Sequence, residues 1–597
     1  MRRRPVHRPS NSPLAITLSP LTRLTAPYGG ESVRADPVGA TWSATPHASH
    51  SRRALLKHGL QVGILIGGWP LIDKPAAIRN AWSGTRFAPA REPSTTTLVL
   101  ATNRAPSDLD PHSAYDPGSQ IALQGPFEGL IQLRPGTADV IVPVLAESWT
   151  ANADKSVWTF HLRPGVTFQD GSPLDAEAAR ASFDRLLTLG LAPSTVLARF
   201  IDDPARISAS DSRTLVFDLG RPQPLFEAVI AAPTGAAIAN AAALRTHEVD
   251  GDWGHGWAQT HSDGIGSGPY RVTSFGFEEG VVLERYPEYW RGWADNHFER
   301  VTIRVVTEPE SRLALIENGG ADIATTLPLA TVKELEANRD LLVDRRFTQA
   351  VSYVAMTVAG SLRSSEARQA LCWAFPYDDV IDGVYEGFAK RAVGPVAELC
   401  RGFNPDTFVY STDLDRARAL LQRAGVAEGT ALSYALPAGN SEAATIPQLF
   451  QANLAAIGVH LDIQVLDFAT YIDLAFGDRP AEERPNLFSF FWSPDYNDAW
   501  NQLWPQVSCA AWQAGNVGQY CNARVEDLLE EANSATDDAR YFAALVEIQQ
   551  MVTRDDPAAI YVAQVQWPTV LRRDLVGFDL SSIVPEIVDF YALHRDA

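Results

Sequence analysis

Basic residues fall short in this chain. Its 597 residues carry 50 Lys and Arg against 71 Asp and Glu, a formal net charge of −21. A nucleic-acid surface needs clustered excess cations to neutralise phosphates, so no nucleic-acid partner is expected. Cysteine is scarce: Cys372, Cys400, Cys509 and Cys521 are the only four. No C-x-x-C pair occurs, which removes common zinc and redox signatures. The apolar run from Leu60 to Trp69 is too short and too Gly-rich to cross a membrane. P-loop and H-E-x-x-H motifs are missing. The glycines around Ser267 in "GIGSGPY" follow no obvious strand and open no helix, so they make no nucleophile elbow. The expectation is a chain that is not an enzyme, with no catalytic residue, metal or cofactor. Internal repeats and heptads are absent as well.

What is present begins with a distinct leader. Residues 1–57 hold eight Arg and one Lys against only Glu31 and Asp36, with much Pro, Ser, Thr and Ala. Such a segment cannot bury a core and reads as disordered. The motif S-R-R-A-L-L-K at Arg52 and Arg53 then precedes the short apolar run, in the layout of a signal peptide. It resembles a twin-arginine export signal, with Leu55 where that motif often has Phe. Residues 1–90 are therefore expected to be leader and signal peptide, with "APA" at 88–90 as one cleavage option. No Cys follows the apolar run, so no lipoprotein anchor is expected. Export permits disulfides. Cys509 and Cys521 close a short loop and are the preferred pair. Cys372 lies in an apolar helical pattern and reads either as a buried thiol or as a partner of Cys400.

The remaining length is too great for one compact core, so two or three lobes are expected. "STTTLVLATN" reads as a first strand. Trp158 to Leu162 alternates as a strand, and Asp175 is placed to cap a helix from Ala176 to Leu187. "STDLDRARALLQRAGV" is a capped helix ending at Gly425. The strand, helix and strand that follow suggest a lobe with a largely parallel sheet.

Two polar clusters stand out. "EVDGDWGHGWAQTH" brings Asp250, Asp252, His255 and His261 into one Gly-rich loop, where solvation is the ordinary reading and a metal site the alternative. In "LFSFFWSPDYNDAWNQLWP", an aromatic strand meets a loop with Asp495, Asn497 and Asp498. Strand ends of this kind are where α/β lobes place ligand contacts. Asp495 beside Trp492 and Tyr496 suits a cation, through a charge-assisted hydrogen bond and cation–π attraction. Equally, Asp495 could cap a turn while the aromatics form core.

Several blocks together resemble the family 5 extracellular solute-binding proteins, the peptide and nickel class of ABC importers. They are "VLAESWTANADKSVWTFHLRPGVTFQDGSPLDAEAARASFDRLL", "GSGPYRVTSFGFEEGVVLERYPEYWRG", "EARQALCWAFPYDDVIDGVYEGFAKRAVGPV", "DLDRARALLQRAGV" and "LFSFFWSPDYNDAWN". The resemblance implies a type II (cluster C) periplasmic binding protein fold: two α/β lobes joined by a two-segment hinge, plus an extra inserted lobe. Domain I would take residues 91–128, 262–352 and 561–597, domain II residues 129–261, and domain III residues 353–560, with the hinge near Tyr353 and Tyr561. It implies a monomer in the periplasm that closes on a peptide or similar small polar solute and delivers it to an inner-membrane ABC permease. Asp495 falls where peptide-binding members anchor the ligand amine, within a ligand block of Trp492, Ser493, Pro494 and Tyr496. Tyr115, Tyr353 and Tyr270 are further ligand candidates. The resemblance does not locate a carboxylate-binding Arg; Arg479 and Arg484 are candidates only. Alternatives are a sugar, opine or metal-chelate ligand, or an exported enzyme.

Overall fold

The computed structural model describes residues 96–597, apart from residues 138, 439–440, 513, 585–586 and 597. The expected leader, the Arg52 and Arg53 signal and the 88–90 cleavage option lie outside the described residues.

Three principal sheets organise the chain. The first strand, Thr97–Thr102, is central to a seven-stranded sheet, parallel to Arg300–Val305 on one side and to Ile323–Ala324 on the other. The hairpin Tyr270–Gly276 and Gly280–Arg285 extends one edge; Thr569–Arg572 and Leu341–Asp344 complete the other. Gly280 makes the hairpin possible. Its φ is 102°, and a Cβ there would lie 2.0 Å from the Ile303 carbonyl oxygen.

A four-stranded antiparallel sheet runs in the order Ala146–Ala151, Val157–Leu162, Thr214–Asp218, Ile207–Asp211. Alternate residues of Val157–Leu162 are buried, as its apolar period predicts. The adjoining helix is Ala176–Leu189: the Asp175 carboxylate accepts from the Ala178 N–H at 2.9 Å, and Gly190 ends it in the left-handed region.

The third sheet has six strands, ordered Ala389–Arg391, Ala559–Gln566, Phe347–Met356, Leu487–Trp492, Thr430–Pro437, Val459–Leu466. The expected strand, helix and strand unit is there, with Ser441–Ala456 as its crossover helix. Yet the sheet is mixed rather than largely parallel. Thr430–Pro437 runs parallel to Val459–Leu466 on one side and to Leu487–Trp492 on the other; the strands from Phe347 and Ala559 pair antiparallel, because they carry the chain in from the seven-stranded sheet and back out. The two crossings are short, at residues 345–346 and 567–568. Tyr353 and Tyr561 pair with each other inside this sheet. Cys509 and Cys521 form a disulfide, while Cys372 and Cys400 are buried free thiols.

The dense "YPEYWRG" passage packs around one buried carboxylate. Glu128 accepts from Tyr289 Oη at 2.8 Å, Trp290 Nε1 at 3.0 Å and Ser267 Oγ at 3.1 Å. Burial pushes its pKa up, opposed by Arg291 at 3.9 Å and by these donors. Truncating Glu128 would leave three donors facing each other without an acceptor. Urea denaturation of Glu128→Ala is expected to show a loss of about 2–4 kcal/mol; a loss near zero would contradict this role.

Candidate functional site

The strand Leu487–Trp492 ends in a loop whose two acids do different work. Asp498 is fully buried and caps the helix Ala499–Val507, accepting from the Trp500 N–H at 2.8 Å. It also receives Arg401 Nη1 at 2.9 Å and the Tyr541 hydroxyl. Burial pushes its pKa up to about 6, against the pull of Arg401 and Tyr541. Asp498 is thus the capping residue, and Asp495 is left free of that task. The Asp495 backbone N–H donates to Asn501 Oδ1 at 2.6 Å, and Asn501 Nδ2 donates to the Asp495 carboxylate at 3.2 Å. These bonds fix the carboxylate's direction.

It points to a different part of the fold. The other Asp495 oxygen accepts the hydroxyl of Tyr115, from the loop that follows the first strand. Burial, with the Asp495 charge next in effect, raises the Tyr115 pKa far above the usual phenol value, so Tyr115 is a donor here. Ser493 makes a parallel crossing: its hydroxyl donates to the Ile583 carbonyl. Residues 493–495 therefore face a wall built by residues near 115 and 583.

The Tyr115 loop is held by a buried polar cluster. Asp110 and Arg185, both fully buried, pair at 2.6 Å; Arg185 also donates to the Trp253 carbonyl at 3.0 Å. Burial alone would raise the Asp110 pKa, but Arg185 and His255 hold it well below the carboxylate range. His112 is pushed down to about 4 by burial and by Arg185. Neutral His112 accepts from Arg185 at Nδ1, 2.9 Å away, and donates from Nε2 to the Ala237 carbonyl at 3.2 Å. His255 Nδ1 lies 3.0 Å from Asp110 and 3.4 Å from Ser113 Oγ. Both contacts use one ring nitrogen, so His255 cannot relay a proton between Ser113 and Asp110 as a catalytic triad does. The polar loop read from sequence is used here: Asp252 accepts three of its backbone N–H groups, and His261 stacks on Trp257 at 5.1 Å.

Sequence reasoning missed Arg199. It follows the helix Ser194–Ala198, beside the four-stranded sheet, yet reaches across to stack 3.8 Å above Trp504 and 5.9 Å from Trp500. Burial lowers its pKa, while Tyr496, Asp495 and Tyr115 favour the charge. Next to it, Phe200 meets Tyr496 at 6.2 Å. Nothing in "VLARF" marks a ligand contact; only the paired Trp500 and Trp504 in the helix ahead hinted at an aromatic platform.

Among the other candidates, Trp492 is buried and donates from Nε1 to the Asn501 carbonyl at 3.2 Å, supporting the loop from behind. Pro494 and Tyr496 are buried at its turn. Tyr353 is buried among Tyr561 and Phe490, with ring centres 6.2 Å from each. Tyr270 is not part of this constellation: it is fully buried in the seven-stranded body and donates to the Phe298 carbonyl at 3.0 Å. Arg479 pairs with Asp473 at 2.6 Å, and buried Arg484 donates to the Ala475 carbonyl, so neither replaces Arg199 beside Asp495.

Residues 140–514, more than half of the chain, match the family profile described as bacterial extracellular solute-binding proteins, family 5 Middle. The chain belongs to this family. It is 27% identical over 505 residues to the probable D,D-dipeptide-binding periplasmic protein DdpA of Escherichia coli K12, covering 83% of this chain and 94% of that one. Similarity to the glutathione-binding protein GsiB of Pectobacterium atrosepticum is 27% over 495 residues, covering 80% and 91%. Among solved structures, the periplasmic binding protein DppA of Helicobacter pylori, in complex with the peptide STSA, matches with TM-score 0.71 at 23% identity, covering 84% of this chain and 98% of that one. The mixed α/β architecture is that of the type II periplasmic binding proteins.

The cluster beneath Tyr115 has a pH signature. The Asp110 hydrogen bond raises the His255 pKa above its ordinary value, against burial. Its contribution to stability is full below the unfolded value of about 6.5 and is lost as pH rises through the higher folded value. Thermal melts from pH 5.5 to 8.5 are expected to show wild type losing its advantage over His255→Gln as pH rises; a pH-independent gap would contradict the assignment.

Proposed function

We propose that the chain captures a short peptide, or a closely similar amine-bearing solute, between the six-stranded lobe and the rest of the molecule, and hands it to an inner-membrane ABC permease. One observation carries the reading. Asp495, relieved of capping by Asp498, directs its carboxylate at Tyr115 on the opposite wall, and its charge favours that of Arg199 there. Membership of a solute-binding family and the names of its relatives support a peptide over other solutes.

In this reading Asp495 binds the ligand ammonium, with Tyr115 and Asn501 holding the carboxylate in place. Arg199, flat against Trp504, receives an anionic group of the same ligand; a guanidinium on an aromatic face keeps its edge free for such a partner. We assign the hinge to the short crossings at residues 345–346 and 567–568. Ligand closes the cleft to the extent that it binds the closed form better than the open one. Export of a monomer through the twin-arginine route, directed by Arg52 and Arg53, completes the proposal.

Calorimetry with tri-alanine tests it. Asp495→Asn is expected to weaken binding at least about 100-fold, through loss of a desolvated charge pair. Unchanged affinity would remove Asp495 from the anchor role. Arg199→Met is expected to weaken binding about 10-fold or more, and to spare the C-terminally amidated peptide. Equal losses for the acid and the amide would show that Arg199 does not read the anionic end.

A further inference from the structure

The disulfide Cys509–Cys521 opens onto a cavity of about 500 Å³. Asp495, Tyr115 and Arg199 take no part in its wall, so it is separate from the proposed solute site. Cys521 is exposed and Cys509 half-buried. Trp512 and Pro480 give the cavity apolar surface. Arg479, which pairs with Asp473 at 2.6 Å, and the exposed Asp478 put one charge of each sign on the wall.

A disulfide across so short a loop ordinarily acts as a staple. Here hydrogen bonds close the loop as well. Asn516, buried within it, donates from Nδ2 to the Ser508 carbonyl at 3.0 Å and to the Tyr520 carbonyl at 2.6 Å. Its Oδ1 accepts the Tyr520 N–H at 2.9 Å. Ser508 and Tyr520 directly precede the two cysteines, so one side chain ties both ends of the loop. Glu526 accepts from the Cys509 N–H at 2.8 Å and from Ser508 Oγ at 3.3 Å. The Gly518 carbonyl accepts from the Val358 N–H at 2.8 Å. These bonds keep the two sulfurs side by side when the bond between them is broken.

We propose that Cys509–Cys521 is a thiol-exchange site, where a low-molecular-weight thiol enters the cavity and opens the disulfide in the folded protein. Its thiolate attacks the sulfur it can reach, Cys521 Sγ. A mixed disulfide forms there, and Cys509 leaves as a thiolate. A second thiolate attacks the outer sulfur of the mixed disulfide and releases Cys521. Two thiols thus become one small disulfide, and the protein gains two electrons. The two protons the thiols gave up pass to Cys509 and Cys521. The reverse reaction, with a small disulfide, closes the bond. Cys521 also suits the return step. It stands just before Asn522, the N-cap of the helix Ala523–Asn533, and the positive end of a helix favours a thiolate. Exposed disulfides exchange more readily than buried ones.

The test uses the folded, full exported chain. Reduced glutathione is added, free thiols are blocked with iodoacetamide, and the labelled cysteines are mapped by mass spectrometry. Cys509 and Cys521 are expected to label, and the buried Cys372 and Cys400 to stay unlabelled, with the circular dichroism spectrum unchanged. Labelling of the pair only in urea, or of all four cysteines together, would overturn the proposal. Opening by a thioredoxin-type protein alone would overturn the small-thiol assignment. Two variants then identify the reacting sulfur. With oxidised glutathione, Cys509→Ser is expected to form a stable mixed disulfide at Cys521. Cys521→Ser is expected to form one at Cys509 at least about 10-fold more slowly. Equal rates would overturn Cys521 as the reacting sulfur. Reduced wild type is expected to close its disulfide and keep no adduct, because the neighbouring sulfur displaces it. A lasting adduct on wild type would overturn the claim that the loop holds the sulfurs together.

Discussion

A buried ion pair holds one wall of the cleft still. Asp110 and Arg185 have no exposed side-chain surface, and the contacts around them, His112, His255 and the Trp253 carbonyl, bring together residues far apart in sequence. Removing either partner would strand a charge in the interior, at a cost of order 3–5 kcal/mol. The Asp110 carbonyl also accepts from the N–H groups of Ser113 and Ala114, so the turn leading to Tyr115 inherits the same anchorage. Tyr115 presents its hydroxyl at a defined point because the chain behind it cannot shift.

The other wall is attached differently. The Asp495 loop belongs to a sheet that joins the seven-stranded body through two short crossings, a connection suited to rotation. The walls meet through Tyr115 and Asp495, Ser493 and Ile583, Phe200 and Tyr496, and Arg199 and Trp504. Aromatic contacts of this kind contribute about 0.5–1.5 kcal/mol each. Each such contact favours the arrangement in which the walls meet. On the proposed reading, selectivity lies in the Asp495 carboxylate, which Tyr115 and Asn501 hold in place for the ligand cation.

Local chemistry explains which features were legible in sequence. Asp175 with its helix, the alternation of Val157–Leu162 and the short Cys509 to Cys521 loop all depend on neighbours in the chain, and they are found where spacing put them. The anchor block was visible as an aromatic strand running into acids, but its spacing could not divide the work between Asp495 and Asp498. That division depends on Arg401 and Tyr541, distant in sequence. Arg199 was invisible for the same reason: a guanidinium acquires meaning only from the tryptophans brought opposite it. Tyr270, a ligand candidate in the sequence, has its ring buried against Trp293 at 5.4 Å in the body's core, a contact that its neighbours in the chain do not announce. The six-stranded sheet misled because a strand, helix and strand unit says nothing of the antiparallel strands inserted from the neighbouring sheet.

The account stands or falls on a cation at Asp495. The most direct measurement compares, by calorimetry, a tripeptide that binds the wild-type protein with its N-acetylated form. Acetylation removes the positive charge and leaves the other groups in place. The account predicts a loss of at least about 100-fold in affinity. Equal affinity for the two forms would contradict it and leave Asp495 as part of the scaffold.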